Sequence, residues 1–398
     1  MASEYRNSLF QLLFKNETIT GVASTATFPD NWQYIGLHST INLPDPIYGW
    51  VPVYGIGANA RPDNARSWAV MQYGKQEFSG SFANMILVTG HVLPFILGQE
   101  NATDGGTYIQ HDIREALTLP TFTLDGRFYN VDRTYPDLIR RWMGCKVDVA
   151  HIFCDQRGYL SLSLEKIVAL DMAHNVSAVA STDSQRRYLK WDLSLTEVTP
   201  LDYPFSGERD PYLFSGGEIQ LLDGGSLNSP SGNLTIRNIS RFSVVISHNL
   251  TPKYYDTRSN TDSTQTPYEY LEGRREYAVS ITADIMGQDV YKWLVAQGRQ
   301  GVEKTGYGIR AIFTKRPSIL ANNYLEIRIP GDTNTHTWNT INSVTPVAGE
   351  ETANYHPGAF AISAPHSVTE DARLRVNIEF NAPSLSFLIR DKWGAYLN

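Results

Sequence analysis

The chain has 398 residues, 42% hydrophobic and 19% charged, a composition that suits globular domains with their own cores and excludes a disordered or collagen-like polypeptide. Its 34 basic and 41 acidic residues give a formal net charge of -7, which argues against a protein whose task is to grip nucleic acid. Two cysteines, Cys145 and Cys154, exclude a disulfide scaffold, and no run approaches the ~18 apolar residues of a membrane-spanning helix.

Residues 1–31 read as a mixed arm without the pattern of a signal peptide, ending in a Pro29-Asp30 turn. Trp32 to Leu43 is a strand candidate. Residues 44–71 are rich in Pro, Gly and Asn and read as a long loop. Their Tyr48, Trp50, Tyr54 and Trp68 predict a loop docked on something, since a solvated loop needs no such aromatics. Tyr73 to Asn84 alternates as a strand. Val92, Phe95 and Ile96 before Gly98 predict a short helix over 89–98. A polar loop is expected over 99–110, a short strand interrupted by Pro120 over 117–124, hence an edge or a strand start, and about one helical turn over 135–142.

The clearest hairpin follows. Cys145, Val147, Val149, His151 and Phe153 alternate with Lys146, Asp148, Ala150 and Ile152; the turn is 155–158, and Leu160, Leu162 and Leu164 face inward. Nine residues apart on one strand, the two cysteines are expected on opposite faces, as buried, reduced thiols of a protein folded in a cytoplasm.

Residues 172–211 hold a boundary, and Tyr212 to Leu222 begins a second half. Phe242 to Leu250 is a strand that echoes the one ending at Leu43. Residues 251–271 read as the matching loop, again aromatic at Tyr254, Tyr255, Tyr268 and Tyr270. Then Gly273-Arg-Arg-Glu-Tyr-Ala-Val-Ser-Ile281 repeats Gly74-Lys-Gln-Glu-Phe-Ser-Gly-Ser-Phe82, and again a short helix follows, over 290–298. Strands are expected at 307–315, 325–329, 374–380 and 385–389, with a polar insertion at 330–360. The polar faces of the repeated strand, Glu77, Ser79 and Ser81 with Glu276, Ser280 and Thr282, are candidates for a lumen or an interface.

No catalytic, metal or cofactor motif stands out. The nine histidines are scattered, and Gly55-Ile-Gly-Ala-Asn-Ala60 is followed by Arg-Pro-Asp-Asn instead of a helix, so a phosphate would find no helix N-terminus. Nothing nominates one carboxylate pair for glycosidase chemistry. The pairs Arg140-Arg141, Arg186-Arg187 and Arg274-Arg275 have acidic neighbours and read as solvated faces or salt bridges. The expectation is a mainly-β chain of two tandem domains, 1–200 and 201–398, in which glycosidase carboxylates stay open.

At Leu119-Pro-Thr-Phe-Thr-Leu124, Gly144-Cys-Lys-Val-Asp148 and Gly158-Tyr-Leu-Ser-Leu-Ser-Leu164, the first half resembles the tail tube proteins of long-tailed bacterial and archaeal viruses. Thr121 and Asp148 stand where that family has Ser and Asn. The second half resembles it at 211–222, at Asn249-Leu250 and at 273–281; the loop 44–71 and the insertion 330–360 depart from it.

The resemblance implies two tail-tube-type β-sandwich or barrel domains related by a pseudo-twofold repeat, each with a short flanking α-helix. It implies trimeric rings, stacked into a tail tube that double-stranded DNA crosses without specific binding. Ring closure would pair each open sheet edge. The aromatic loops, at Tyr48, Trp50, Tyr54, Trp68, Tyr254, Tyr255, Tyr268 and Tyr270, would supply inter-subunit contacts. Further implied partners are tape-measure and tail-terminator or baseplate proteins, with no membrane and no cofactor. The implied location is the virion tail, assembled in the host cytoplasm, and the duplication leans toward a flexible, non-contractile tail. The competing expectations are a carbohydrate-binding β-sandwich adhesin and a glycosidase.

Overall fold

Alternating apolar residues make strands wherever one face can be buried, and the fold is built almost wholly of them. The computed structural model describes residues 5–17, 33–34, 40–53, 70–130, 138–156, 158–174, 190–191, 210–223, 233–236, 239–254, 266–284, 307–315, 323–329, 359–363, 366–367 and 375–397. The helix expected over 290–298, the turn at 29–30, the pair Arg186-Arg187, and nearly all of 330–360 lie outside them.

In the first half the strands are β1 (Tyr5–Asn16), β2 (Gln33–Tyr34), β3 (Thr40–Asn42), β4 (Pro46–Val53), β5 (Val70–Ile86), β6 (Gly98–Asp104), β7 (Ile109–Glu115), β8 (Phe122–Asn130), β9 (Leu138–Asp155), β10 (Ser161–Ala169), β11 (Asp171–His174) and β12 (Lys190–Trp191). One helical turn, α1 (Pro94–Leu97), precedes β6. The second half holds β13 (Leu213–Asp223), β14 (Asn233–Ile236), β15 (Ile239–Ser247), β16 (Thr251–Lys253), β17 (Glu269–Leu271), β18 (Glu276–Asp284), β19 (Tyr307–Thr314), β20 (Tyr324–Ile329), β21 (Phe360–Ser363), β22 (His366–Ser367), β23 (Arg375–Ala382) and β24 (Ser386–Asp391).

A pairing order occurs twice. The antiparallel run β3-β5-β10-β9 recurs as β15-β18-β23 followed by β21 and β22, and β9 pairs with β15, which joins the two runs into one sheet. Likewise β2-β1-β8-β9-β11 is matched by β14-β13-β19-β20-β24. β9 belongs to both runs of the first half. In the second half its counterpart is divided between β20 and β21–β22, and residues 330–358 stand between the pieces in sequence. The hairpin β6–β7 crosses to the other half and pairs with β24.

β9 can take part in both runs because it turns at Gly144, whose φ of 63° is a left-handed conformation that glycine adopts freely. The Glu17 carboxylate, buried, accepts the Gly144 N–H at 2.8 Å and the Thr123 hydroxyl at 2.8 Å. Phe82, Leu164, Ile152, Val244, Val279 and Ile378 point from the long sheet into one core with Phe14, Phe122, Trp142, Ile309, Ile327 and Phe387. Phe95 of α1 meets Phe14 and Phe122 edge-on, with ring centres 5.6 and 5.1 Å apart.

Several local expectations are corrected. Residues 46–53, which composition reads as loop, pair with 70–78 as the hairpin β4–β5. Residues 99–110, expected as a polar loop, belong to the hairpin β6–β7, because β24 offers an edge to pair with. Residues 138–142 extend β9 between β8 and β11, where local spacing suggests a helical turn. Part of 251–271 forms the short hairpin β16–β17.

The alternation along β9 also breaks. Cys145 and Val147 are buried, but so are Ala150, Ile152 and Cys154, while Val149, His151 and Phe153 face outward. An irregularity in the β9–β10 register opposite Val149 shifts the phase by one residue. Asp148 holds it: its carboxylate accepts the Leu250 N–H at 2.8 Å and meets Lys166 at 2.6 Å, and its carbonyl accepts the His248 N–H. Both cysteines therefore face the core, free and buried.

Candidate functional site

The face of the long sheet turned away from the core is polar along successive strands. On β18, Tyr277, Val279, Ile281 and Ala283 are buried and Glu276, Ser280 and Thr282 point the other way. On β5, Phe78 and Phe82 are buried, and Glu77, Ser79 and Ser81 occupy the opposite face. All six predicted face residues thus lie on one surface of one sheet. β15 adds Ser243, Val245 and Ser247, and β23 adds Asn377, Glu379 and Asn381.

Short-range hydrogen bonds tie this surface together. Ser280 and Thr282 donate to the Asn377 side-chain oxygen at 2.9 and 3.1 Å. Asn377 donates to Glu379 at 3.3 Å, and Ser363 on β21 donates to Glu379 at 2.8 Å. Asn42 on β3 donates to Ser81 at 3.0 Å.

Four basic groups at this face have neighbours. Arg241 lies 3.4 Å from Asp155, Arg375 3.0 Å from Asp284, and Lys166 2.6 Å from Asp148. Lys75 sits 4.5 Å above the Tyr254 ring. Glu77 and Glu276 stay exposed. His151 lies 3.3 Å from Glu165, yet burial lowers its pKa below the usual value and outweighs that carboxylate, so the ring is neutral at pH 7. Among the described residues this surface carries several carboxylates, and the cations named here have partners.

The predicted aromatic contacts scatter. Tyr268 is 65% exposed. Tyr254 is half-buried against β5: its hydroxyl donates to the Gln76 carbonyl at 3.0 Å and lies 3.4 Å from Glu77. Burial and that carboxylate push its pKa up. Tyr270 is buried inside its own chain with Val168, Leu170 and Leu250, so it presents no surface to a neighbour. Tyr48 and Trp50 lie on β4; Tyr54, Trp68 and Tyr255 lie outside the described residues.

Three arginines of these pairs form intrachain ion pairs. Arg140 binds Asp45 and Arg141 binds Asp125. Arg275 pairs with Glu272 at 3.2 Å and donates to the Leu97 carbonyl at 3.3 Å. Glu272 also takes Lys146 at 2.9 Å and the Leu119 N–H at 2.8 Å, which bridges the two halves. Burial disfavours its charge, but these partners outweigh burial and lower its pKa.

A second polar cluster was not legible in the sequence. His111 on β7 lies between Glu100 of β6 at 2.7 Å and Asp391 of β24 at 3.0 Å, and all three are buried. Tyr396 stacks on the His111 ring at 3.9 Å and donates its hydroxyl to Asp391. Glu100 accepts the N–H groups of Tyr396 and Leu397 at 2.9 and 2.7 Å, so the chain's end is clasped to β6–β7. The pairing partners lie 280 residues apart, which no local pattern encodes.

The run from β3 to β21–β22 ends in two open edges: among the described residues β3 and β4 pair only with β5, and β21 and β22 only with β23. Among the same residues no group of three or more His, Cys, Asp or Glu is arranged to hold a metal ion. No protein-family model matches the chain, and no curated protein matches it.

Proposed function

We propose that this is a structural, non-enzymatic protein of the viral tail tube type, whose copies join edge to edge into closed rings that stack into a tube for DNA passage. One observation carries the reading. The pairing order β3-β5-β10-β9 occurs twice, and the second run begins by pairing with the end of the first, at β9–β15. The chain contains one head-to-tail junction of the kind that builds a ring, and it leaves one β3 edge and one β21–β22 edge of matching identity. Such heterologous contacts close when the rotation between units divides a full turn. With two tandem units per chain, 1–200 and 201–398, three copies make a pseudo-sixfold ring.

The polar face supports a lumen role. Each cation that neutralises a phosphate adds counterion-release affinity, and a passage for a sliding duplex must avoid that. The face residues Glu77, Ser79, Ser81, Glu276, Ser280 and Thr282 would line it. Exposed Tyr268, with Tyr48 and Trp50 on the β4–β5 hairpin, would reach neighbouring subunits. The site of action would be the virion tail, with tape-measure and terminator or baseplate proteins as further partners.

Negative-stain microscopy of concentrated protein is the test. The expected result is rings or tubes about 10 nm wide, the scale of six ~200-residue domains around a channel. Monomers under all conditions, or tight glycan binding by a stable monomer, would overturn the reading.

A further inference from the structure

We infer that the seam between two copies repeats the register of the β9–β15 junction, so that Asn42 of one copy stands opposite Ser367 of the next. The inference rests on the self-assembly proposed above and adds the residue-level contact. The correspondence is fixed by pairing. Phe82 on β5 pairs with Ile41 on one side and Leu164 on the other; Ile281 on β18 pairs with Phe242 and Ile378. Ile41 therefore corresponds to Phe242, and Leu164 to Ile378. Asn42 pairs with Ser81 as Ser243 pairs with Ser280, so Asn42 corresponds to Ser243.

On the far side the β5–β10 register shifts by one residue between Leu162 and Leu164, which β18–β23 does not, so the count runs along the strand: Ser161 precedes Leu164 by three residues, as Arg375 precedes Ile378, and both point away from the core whereas Leu162 is buried. Ser161 pairs with Phe153, and Arg375 pairs with Ser367. Ser367 therefore corresponds to Phe153. At the internal junction Phe153 pairs with Ser243. Replacing each residue by its counterpart puts Ser367 opposite Asn42.

Strand direction agrees. Neighbours alternate from β3 through β5, β10, β9, β15, β18 and β23 to β21–β22, so β3 and β22 run antiparallel, as β9 and β15 do. Each open edge also exposes an isoleucine, Ile47 on β4 at 57% and Ile362 on β21 at 61%. Apolar side chains on an unpaired edge are an aggregation hazard for a monomer and suit an edge that becomes paired.

The double variant Asn42→Cys/Ser367→Cys tests the register. Residues directly opposite on antiparallel strands have Cβ atoms about 4.5–5.5 Å apart, near enough for a disulfide after small adjustment. The native Cys145 and Cys154 are buried and do not compete. Mild oxidation of assembled protein is expected to give covalent dimers and trimers on a non-reducing gel. An equimolar mixture of the two single variants is expected to stop at dimers. The control Asn42→Cys/Ser363→Cys is displaced by four residues, about 13 Å along the strand, and is expected not to cross-link.

As a second route, Asn42→Lys/Ser367→Lys places like charges opposite each other and is expected to block assembly, whereas Asn42→Asp/Ser367→Lys restores it. Tubes that form normally but cross-link only in the 42/363 variant, or in neither, overturn the register and leave the assembly reading standing. Absence of any assembly by the unaltered protein overturns both.

Discussion

Replacing His111 by Gln should release the chain's end from the β6–β7 hairpin and make stability depend on pH in a specific way. The imidazole is fully buried between the Glu100 and Asp391 carboxylates, with the Tyr396 ring stacked on it. His91, whose ring packs tilted against Tyr396 and edge-on to Trp393, is neutral, its pKa lowered to about 4 by burial. Burial would also lower the pKa of His111, but hydrogen bonds and charges from Asp391 and Glu100 outweigh it and raise the pKa to about 9. A raised histidine pKa means that the folded state holds the proton more tightly than the unfolded chain. The stabilisation is complete below the unfolded value of about 6.5 and vanishes as pH rises through about 9. At ~1.36 kcal/mol per pH unit across that window, the proton contributes about 3 kcal/mol.

His111→Gln leaves two buried carboxylates facing each other. It should therefore cost about 3–5 kcal/mol at pH 6, the scale for breaking a buried ion pair. Urea unfolding of dilute, unassembled protein at several pH values measures both quantities. The gap between wild type and variant should shrink by about 3 kcal/mol between pH 6.5 and 9.5. Hydrogen exchange should show the amides of Tyr396 and Leu397, which bond to Glu100, losing protection in the variant. A gap that does not change across this window would refute the idea that His111 is protonated in the clasp.

Three further outcomes are expected. Gly144→Ala should cost about 1–3 kcal/mol in urea unfolding, because φ is 63° there and an added Cβ would lie 2.6 Å from the Leu170 side chain; an unchanged midpoint would disprove strain at this turn. Burial raises the pKa of both thiols, Cys154 to about 12 and Cys145 well above its usual value, so a thiol reagent at pH 8 should label neither in native protein and both in urea. Glu77→Lys/Glu276→Lys/Glu379→Lys should create DNA binding by assembled tubes that weakens roughly 40-fold between about 50 and 200 mM salt, at ~0.9 per neutralised phosphate for three contacts; no gain in binding would argue that this face does not meet DNA.

Strands with an uninterrupted period of two were legible in the sequence. Val376, Ile378 and Phe380 of β23 are buried as their spacing predicts, and so are Tyr277, Val279 and Ile281 of β18. The hairpin turn at 155–158 and the inward Leu160, Leu162 and Leu164 also follow from local pattern. These features depend on neighbours in sequence, and burial of one face is enough to specify them. The polar face residues were legible for the same reason, since they are the other half of that alternation.

Tertiary structure decided the rest. Residues 46–53 are too rich in Pro, Gly and Trp to announce a strand, and become one by pairing with β5. The phase of β9 depends on Asp148 reaching Leu250 and Lys166, so His151 and Phe153 face outward against their pattern. The β6–β7 hairpin is polar and gains its place from β24, far along the chain. The β9–β15 pairing and the His111 clasp likewise join segments that no local rule connects. A period of two specifies which residues face inward, whereas hydrogen bonds to a distant edge specify which strand lies next to which.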